Sequence, residues 1–349
     1  MPVEARLMPK DSQTELAALR KAAGFATVTN RGFLRVTGPD AARWLNGMVT
    51  NAILTLAPGE GCYNFLLNAQ GRIEGDCTIY REPSAEPAAF LLATTAAQVE
   101  VIQQHLDRFI IMDDVELTVL EGLSGVLVAG PEAFSIVAAL GSANERSAPC
   151  SPGAQGPPPQ TLNLKQTMYA GAPVRLMLAY SPLVPRFEIW SAPSTMASIL
   201  AELKESHAIP VSASALEQLR LLEGTPLYGQ DIRNTETARD LPQETSQTQA
   251  LHFSKGCYLG QEIVERIHSR GQVHRQFMAF RLTGELPVTL PAPLEAAGKP
   301  AGELTSAGSV PLPEGPTLVA LGYARREALD TGKTLSYSGG IALPHRNDN

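Results

Sequence analysis

The sequence predicts an α+β fold that ends in a small antiparallel β-barrel. Up to residue 272, short apolar strands alternate with amphipathic helices in an irregular order that includes hairpins, which is typical of α+β proteins rather than doubly wound sheets. From Gln276 onward the chain consists of short strands broken by glycine and proline, and this pattern predicts the barrel. A chain of 349 residues is long enough for two or three cores.

Hydrophobic periodicity and turn residues place the individual elements. Strands are expected at 24–35, 62–67, 73–80, 90–93, 115–120, 125–128, 174–180 and 186–190. Helices are expected from 39 and from 95, and at 131–140, 194–203 and 213–222. The barrel strands are expected at 277–282, 302–306, 318–324 and 334–338.

The same pattern divides the chain into four predicted regions. Residues 20–141 and 161–272 form the first and second parts of an α+β region, and residues 273–349 form the barrel domain. The segment 142–160 is rich in proline, glycine, serine and alanine and shows no periodicity. It is therefore predicted to be a flexible excursion.

Composition and charge argue against several classes of function. A content of 44% hydrophobic and 18% charged residues is typical of a globular protein. The formal charge of −7 argues against broad nucleic-acid binding, because that activity needs an excess of lysine and arginine. The first residues contain no apolar signal region, and no stretch reaches the roughly 18 apolar residues of a membrane span. We therefore expect a cytoplasmic protein with no membrane partner.

The four cysteines are far apart in the sequence. Cys62, Cys77, Cys150 and Cys257 include no C-x-x-C pair, so their spacing is poor for zinc or for a protein-held iron–sulfur cluster. No metal site is predicted. Because nothing in the spacing indicates a disulfide framework, a reducing compartment is the simpler inference.

The densest chemistry lies in residues 255–262, with the sequence KGCYLGQE. Two glycines there permit positive φ or close approach by another group, and the residues that follow predict an amphipathic helix ending at Gly271. A helix N-terminus and the ammonium of Lys255 would both favour an anion, which makes Cys257 a candidate reactive thiolate. The alternative is a buried structural cysteine in a turn.

KGCYLGQE resembles the signature of the YgfZ family, folate-binding proteins that assist iron–sulfur cluster assembly and repair. The similarity extends over nearly the whole chain, because FLRVTGPDAARWLNGMVTN, LPQET and LVALGYAR also resemble segments of this superfamily. The superfamily includes the glycine-cleavage T-protein, an aminomethyltransferase. The resemblance implies a T-protein-like, three-domain folate-binding architecture, in which two similar lobes precede the barrel.

The resemblance also implies a folate pocket. In GRIEGDCTIY, Asp76 falls on the strand that bears the T-protein's catalytic aspartate. In RFEIW, Glu188 falls on the glutamate that grips the pterin, where a carboxylate accepts two parallel N–H bonds. In LRLLEGTPLYGQD, Arg220 aligns with an arginine, and Tyr228 lies in the same segment. The residues alone leave open that Asp76 and Glu188 are strand residues facing water.

Three functions are open on this evidence. The first is a tetrahydrofolate-binding accessory protein that supports iron–sulfur cluster assembly or repair and, through iron–sulfur enzymes, tRNA modification. Its expected partners are folate, assembly proteins and client enzymes. The second is an aminomethyl- or methyltransferase that uses Asp76, and the third is a scaffold protein without a ligand. Leu216 and Leu222 stand where the T-protein has an arginine and a glutamate, which disfavours the second.

In the first hypothesis, Cys257 is a reactive thiol at the mouth of the folate pocket and Lys255 favours its thiolate. The remaining motif residues would shape the loop; they are Gly256, Tyr258, Gly260, Gln261 and Glu262. Such a protein is expected to act without catalytic turnover.

Overall fold

The computed structural model describes residues 10–140, 162–236, 238–271 and 273–345. Its helices are α1 (Lys10–Lys21), α2 (Ala41–Met48), α3 (Ala96–Asp107), α4 (Ala133–Ala139), α5 (Pro193–Glu205), α6 (Ala213–Glu223), α7 (Gln261–Arg270) and α8 (Arg326–Asp330). The strands before the barrel are β1 (Gly24–Val28), β2 (Arg31–Thr37), β3 (Glu60–Leu67), β4 (Ile73–Arg81), β5 (Phe90–Thr95), β6 (Glu116–Leu120), β7 (Ser124–Ala129), β8 (Leu162–Tyr169), β9 (Ala172–Leu178), β10 (Arg186–Ser191) and β11 (Ile209–Pro210). The later strands are β12 (Arg275–Gly284), β13 (Ala292–Ala296), β14 (Lys299–Leu312), β15 (Gly315–Arg325), β16 (Leu335–Tyr337) and β17 (Gly340–His345).

The first eleven strands form one sheet in the order β11-β1-β7-β10-β9-β8-β3-β4-β5-β2-β6. Its strand pairs are antiparallel except for β1 and β11 at one edge. The two halves of the sheet meet where β3 pairs with β8 over only two positions, Glu60 with Asn163 and Gly61 with Leu162. The strands on the two sides of this narrow joint can therefore enclose a space between them.

Each half of the sheet is covered by its own helices. Alternate residues of β4 are buried, and Cys77 and Ile79 pack with Leu45 of α2 and Ile102 of α3. On the other half, Phe187 of β10 packs in a second core with residues of α5. Because successive strand residues point to opposite faces, the intervening β4 residues face away from the first core.

The last six strands close into a barrel in the order β12-β15-β14-β13-β16-β17. Its interior is filled by apolar side chains that include Phe280, Leu294 and Leu304. A third core joins the barrel to the sheet, because Leu321 of β15 packs with Leu219 of α6. The predicted α+β fold with a terminal antiparallel barrel is confirmed.

Several helices and strands of the structure were not predicted from the sequence. Helix α1 and strands β8, β13 and β17 were not expected, whereas the hairpin β3–β4 and the helix ending at Gly271 were. The excursion at 142–160, with Cys150, lies outside the described residues, and the division into four regions stays a prediction. None of the described helices is long and apolar enough to cross a membrane. The cytoplasmic location stays a prediction.

Candidate functional site

A cavity of about 480 Å³ lies between the two halves of the sheet and helix α6. The charged and phenolic side chains in its wall include Arg31, Tyr63, Asp76, Arg186, Glu188 and Glu223. Its volume falls within the roughly 300–1,000 Å³ of typical small-molecule sites. We call this cavity the pocket.

Asp76 lies on the face of β4 that points away from the first core, and it lines the pocket. The hydroxyl of Tyr63 donates to Oδ2 at 2.6 Å, and Nε2 of Gln98 donates to Oδ1 at 2.8 Å. Burial raises the pKa of Asp76 above its ordinary value, although these two hydrogen bonds and the charge of Arg31 act in the opposite direction. The carboxylate is therefore oriented, desolvated and easier to protonate than a surface aspartate.

Glu188 does not face water, because only 2% of it is exposed. Its carboxylate accepts hydrogen bonds from Nε and Nη2 of Arg31 at 3.2 and 2.6 Å and from Nε1 of Trp190 at 3.3 Å. Arg186 lies 3.8 Å away. Burial alone would raise the pKa of Glu188, but the charge and hydrogen bonds of Arg31 outweigh it and the pKa is lowered. The two-pronged contact predicted for a pterin is thus made here by Arg31.

Arg220 and Tyr228 also line the pocket, but their polar groups are bound within the protein. Arg220 donates to Glu217, to Asp231 at 2.6 Å and to the hydroxyl of Ser306 on β14 at 2.8 Å. The hydroxyl of Tyr228 donates to the carbonyl of Glu74 at 2.7 Å, and burial raises its pKa. These contacts connect α6, β4 and the barrel, so both residues support the pocket wall.

The motif at 255–262 forms a loop that enters α7, as predicted, and we call it the thiol loop. Gly260 has φ of +82° and begins the helix. Tyr258 is buried in a small core with Phe65, and Oε1 of Gln261 accepts from its backbone N–H at 3.3 Å. Glu262 is 91% exposed. Tyr258, Gly260 and Gln261 therefore have structural uses that explain the local conformation.

Lys255 has a different use from the predicted one. Its ammonium donates to the carbonyl oxygens of Asn46, Val49 and Asn51, each at 2.6 Å. Its donors are therefore engaged by the last turn of α2 and the residues that follow it, rather than directed at the sulfur of Cys257. That thiol is exposed and does not belong to the pocket wall.

The other two described thiols are less accessible. Cys62 is half-buried and Cys77 is buried. Burial raises the pKa of Cys62 to about 11, although the amide of Asn64 and the charge of Lys255 act against it, and burial also raises that of Cys77. Within the described residues, no group of three or more histidine, cysteine, aspartate or glutamate side chains could hold a metal ion.

A family model described as the GCVT N-terminal domain matches residues 4–244. The chain belongs to the GCVT-domain family. A relative named "Iron-sulfur cluster assembly factor IBA57 homolog, mitochondrial" from Pyricularia oryzae is 30% identical over 327 residues, which cover 92% of this chain and 71% of the relative. An "Aminomethyltransferase" from Synechococcus sp. is 27% identical over 92% of this chain and 84% of its own length.

A solved member of the GCVT-domain fold also resembles the chain. The glycine cleavage system aminomethyltransferase T from Bartonella henselae superposes with a TM-score of 0.77 at 22% identity, covering 95% of this chain and 87% of that protein. The T-protein-like fold inferred from sequence is therefore confirmed. The resemblance that KGCYLGQE indicated is confirmed at the level of this family.

Sequence reasoning missed several residues that line the pocket or bind its side chains. Arg31 and Arg186 pair with Glu188, and Tyr63 and Gln98 orient Asp76. Glu223 is buried, lines the pocket and accepts a hydrogen bond from Ser181. Burial raises the pKa of Glu223. An arginine at the start of an apolar strand is the one local signal that could have indicated Arg31.

Proposed function

We propose that this GCVT-domain protein is a tetrahydrofolate-binding accessory factor of iron–sulfur cluster assembly or repair. The observation that carries the proposal is a pocket whose least exposed carboxylate, Glu188, accepts two N–H bonds from Arg31 in the two-pronged arrangement that a pterin would also use. The names of the fungal relatives and the KGCYLGQE motif support the assembly role.

The pocket residues fit a folate. A pterin presents an amino group and a ring N–H side by side, which is the donor pair that a carboxylate binds best. A carboxylate offers about four lone-pair positions, and Arg31 and Trp190 use three of those of Glu188. The ligand would therefore share this carboxylate with Arg31 or displace it. The positive charges of Arg31 and Arg186 suit the acidic tail of a folate.

The remaining pocket residues would orient the ligand and hold a proton. Tyr63 and Gln98 fix the carboxylate of Asp76, whose raised pKa lets it exchange a proton at Oδ1 or Oδ2 more readily than a surface aspartate. Tetrahydrofolate, when bound, would supply a one-carbon carrier. Cys257 would act at the protein surface on sulfur or iron–sulfur intermediates held by a partner, because its thiol is exposed.

A folate-dependent aminomethyltransferase is the second candidate. The placement of Asp76 in the pocket favours it, as do the aminomethyltransferases among the relatives. Leu216 lines the same pocket where the T-protein resemblance calls for an arginine, so the wall lacks a positive charge at that position. This loss favours binding without transfer.

Calorimetric titration of tetrahydrofolate and 5-formyltetrahydrofolate tests the pocket. We expect micromolar binding to the wild type and to Cys257→Ala, and at least a roughly 100-fold loss in Glu188→Ala, because a charge-assisted bidentate contact is removed. The absence of folate binding to the wild type would contradict the proposal. Release of a one-carbon unit from an aminomethyl donor in the same samples would favour the transferase.

Cluster transfer to an apo iron–sulfur enzyme tests the second half of the proposal. The full chain should accelerate activation of the enzyme, and Cys257→Ala should not. Cys62→Ser is the matched control, because that thiol is half-buried and its pKa is about 11. Equal activation by the wild type and Cys257→Ala would exclude a role for this thiol.

A further inference from the structure

Lys255 is a buried cation held by carbonyl oxygens alone. Only 7% of the residue is exposed, and its three contacts to the carbonyls of Asn46, Val49 and Asn51 measure 2.6 Å each. Among the residues that the structure describes, no carboxylate forms an ion pair with it. A buried charge without a counter-ion is costly unless its donors are all satisfied, and here three donors meet three acceptors.

Segment 46–51, which accepts these hydrogen bonds, is itself hydrogen-bonded to residues of the pocket wall. Nδ2 of Asn51 donates to the carbonyl of Gln249 at 2.8 Å and to that of Tyr63 at 3.2 Å. Tyr63 and Gln249 both line the pocket, and Tyr63 binds Asp76. Lys255 is thus two residues from Cys257 in the sequence. A single residue, Asn51, connects it by hydrogen bonds to the pocket wall.

We propose that Lys255 is a positioning residue that fixes the thiol loop and segment 46–51 to each other, and that it does so only while its amine carries a proton. The proposal adds to the proposed function and rests on it in one respect: it takes the thiol loop and the pocket to be the regions that carry that function. The contact itself does not depend on any ligand.

The geometry requires the protonated form. A neutral amine has two N–H donors and one lone pair, so it would lose one of the three contacts and turn the lone pair toward a carbonyl oxygen. Burial lowers the pKa of Lys255 to about 7, with the charge of Cys62 acting in the opposite direction. The contact is therefore complete below about pH 7 and is lost as the pH rises through this value.

The other titratable groups that face the ammonium do not change state in the same range. Cys62 lies on β3 with a pKa of about 11, and Tyr258 has its ring centre 5.0 Å from Nζ and a pKa that burial raises to about 12. Segment 46–51 contains no titratable side chain. His252 also lies in this region, where its Nδ1 accepts a hydrogen bond from the backbone N–H of Ser254 at 3.2 Å. A transition near neutral pH that survives in His252→Asn, whose amide oxygen can accept the same bond without titrating, would thus belong to Lys255.

Hydrogen exchange of the ligand-free full chain between pH 6 and 9 tests the proposal. Each rate is corrected for the intrinsic pH dependence of amide exchange, and barrel strand β15 serves as the internal reference. In the wild type we expect exchange in 46–51 and 252–260 to rise by about tenfold more than the reference as the pH passes 7. A wild-type profile that follows the reference throughout would overturn the proposal.

Two variants separate positioning from a merely structural role. Lys255→Met keeps the aliphatic stem but has no donors. Amide exchange in 46–51 and 252–260 should therefore be fast in this variant at every pH and show no transition. Lys255→Arg keeps a charge that does not titrate in this range, and it should retain protection at pH 8.5 better than the wild type. A wild-type transition that persists in either variant would overturn the proposal. If neither variant folds, His252→Asn decides, because loss of the transition in that variant would assign it to His252 and overturn the proposal. Because no folate is present, failure of folate binding leaves this result unaffected.

Discussion

The pocket and the thiol loop stabilise buried charge in opposite ways. In the pocket, the carboxylate of Glu188 is paired with Arg31, 157 residues away in the sequence, and Arg186 lies nearby. In the thiol loop, the ammonium of Lys255 donates to backbone carbonyls and lies 5.0 Å from the ring centre of Tyr258, with no carboxylate paired to it among the described residues. A charge paired with an opposite charge keeps its ionisation over a wide pH range, whereas a cation among neutral dipoles can lose its proton near neutrality. The charge of Glu188 in the pocket is thus fixed around neutral pH, whereas the charge of Lys255 in the loop changes with pH.

The largest expected effect concerns the paired charge. Glu188→Ala should lower the free energy of unfolding by about 3 kcal/mol, because it leaves the half-buried guanidinium of Arg31 without its partner. Urea denaturation at pH 7 measures the change. Glu262→Ala in the thiol loop is the matched control, because this glutamate is 91% exposed and its loss should matter by less than about 0.5 kcal/mol. Equal losses in the two variants would refute the contrast.

The second prediction compares the reactivity of the exposed thiol of Cys257 with that of the half-buried thiol of Cys62. Alkylation by iodoacetamide at pH 7.5, read peptide by peptide by mass spectrometry, should modify Cys257 at least about 100-fold faster than Cys62. The reason is that the thiolate is the nucleophile and Cys62, with a pKa of about 11, is rarely ionised. Comparable rates would mean that the Cys62 strand opens to solvent more often than its burial indicates.

The local features of the molecule were predictable from sequence, and the long-range ones were not. The hairpin β3–β4 and the loop entering α7 follow from turn residues and periodicity within about 20 residues. Strand β8 follows the segment 142–160, and no periodic pattern in that segment indicated that a strand comes next. Its pairing with β3 joins the two halves of the sheet, and sequence periodicity carries no information about such a pairing.

The same limit applies to the site. The family resemblance identified Asp76 and Glu188, and both line the pocket. Their partners depend on which strands become neighbours, so Arg31 and Gln98 could not be inferred from spacing. The hydrogen-bond partners of Lys255 could not be inferred either, because its proximity to Cys257 in sequence suggested only an electrostatic effect on that thiol. Its long side chain instead reaches residues more than 200 positions earlier in the chain.

The third prediction compares the two glycines of the thiol loop. A Cβ at Gly260 would lie 2.6 Å from the carbonyl oxygen of Asn68, and φ there is +82°. Gly260→Ala should therefore cost about 1–3 kcal/mol of unfolding free energy. A Cβ at Gly256 would meet no atom within 4 Å, so Gly256→Ala should change stability by less than about 0.5 kcal/mol. A larger loss at Gly256 than at Gly260 would show that the loop is packed differently.

The smallest expected effect concerns Asp76, a pocket carboxylate that no cation contacts directly. Burial raises the folded-state pKa of Asp76 above 3.8, its value in the unfolded chain, so its charged form is the costly one in the folded protein. Below pH 3.8 both states are protonated and the cost is absent; it is complete once the pH exceeds the folded-state pKa.

Asp76→Asn should therefore stabilise the protein by about 1 kcal/mol at pH 7.5, and the gain should shrink as the pH falls toward 4. The amide oxygen can still accept from Tyr63, but it cannot also replace the acceptor for Gln98, which keeps the gain small. Urea denaturation at several pH values measures it, with Asp107→Asn at an exposed position of α3 as the control. A loss of stability at pH 7.5 would show instead that the charge of Asp76 is needed to balance Arg31, and the pocket would then be held by one extended charge network rather than by the Arg31–Glu188 pair.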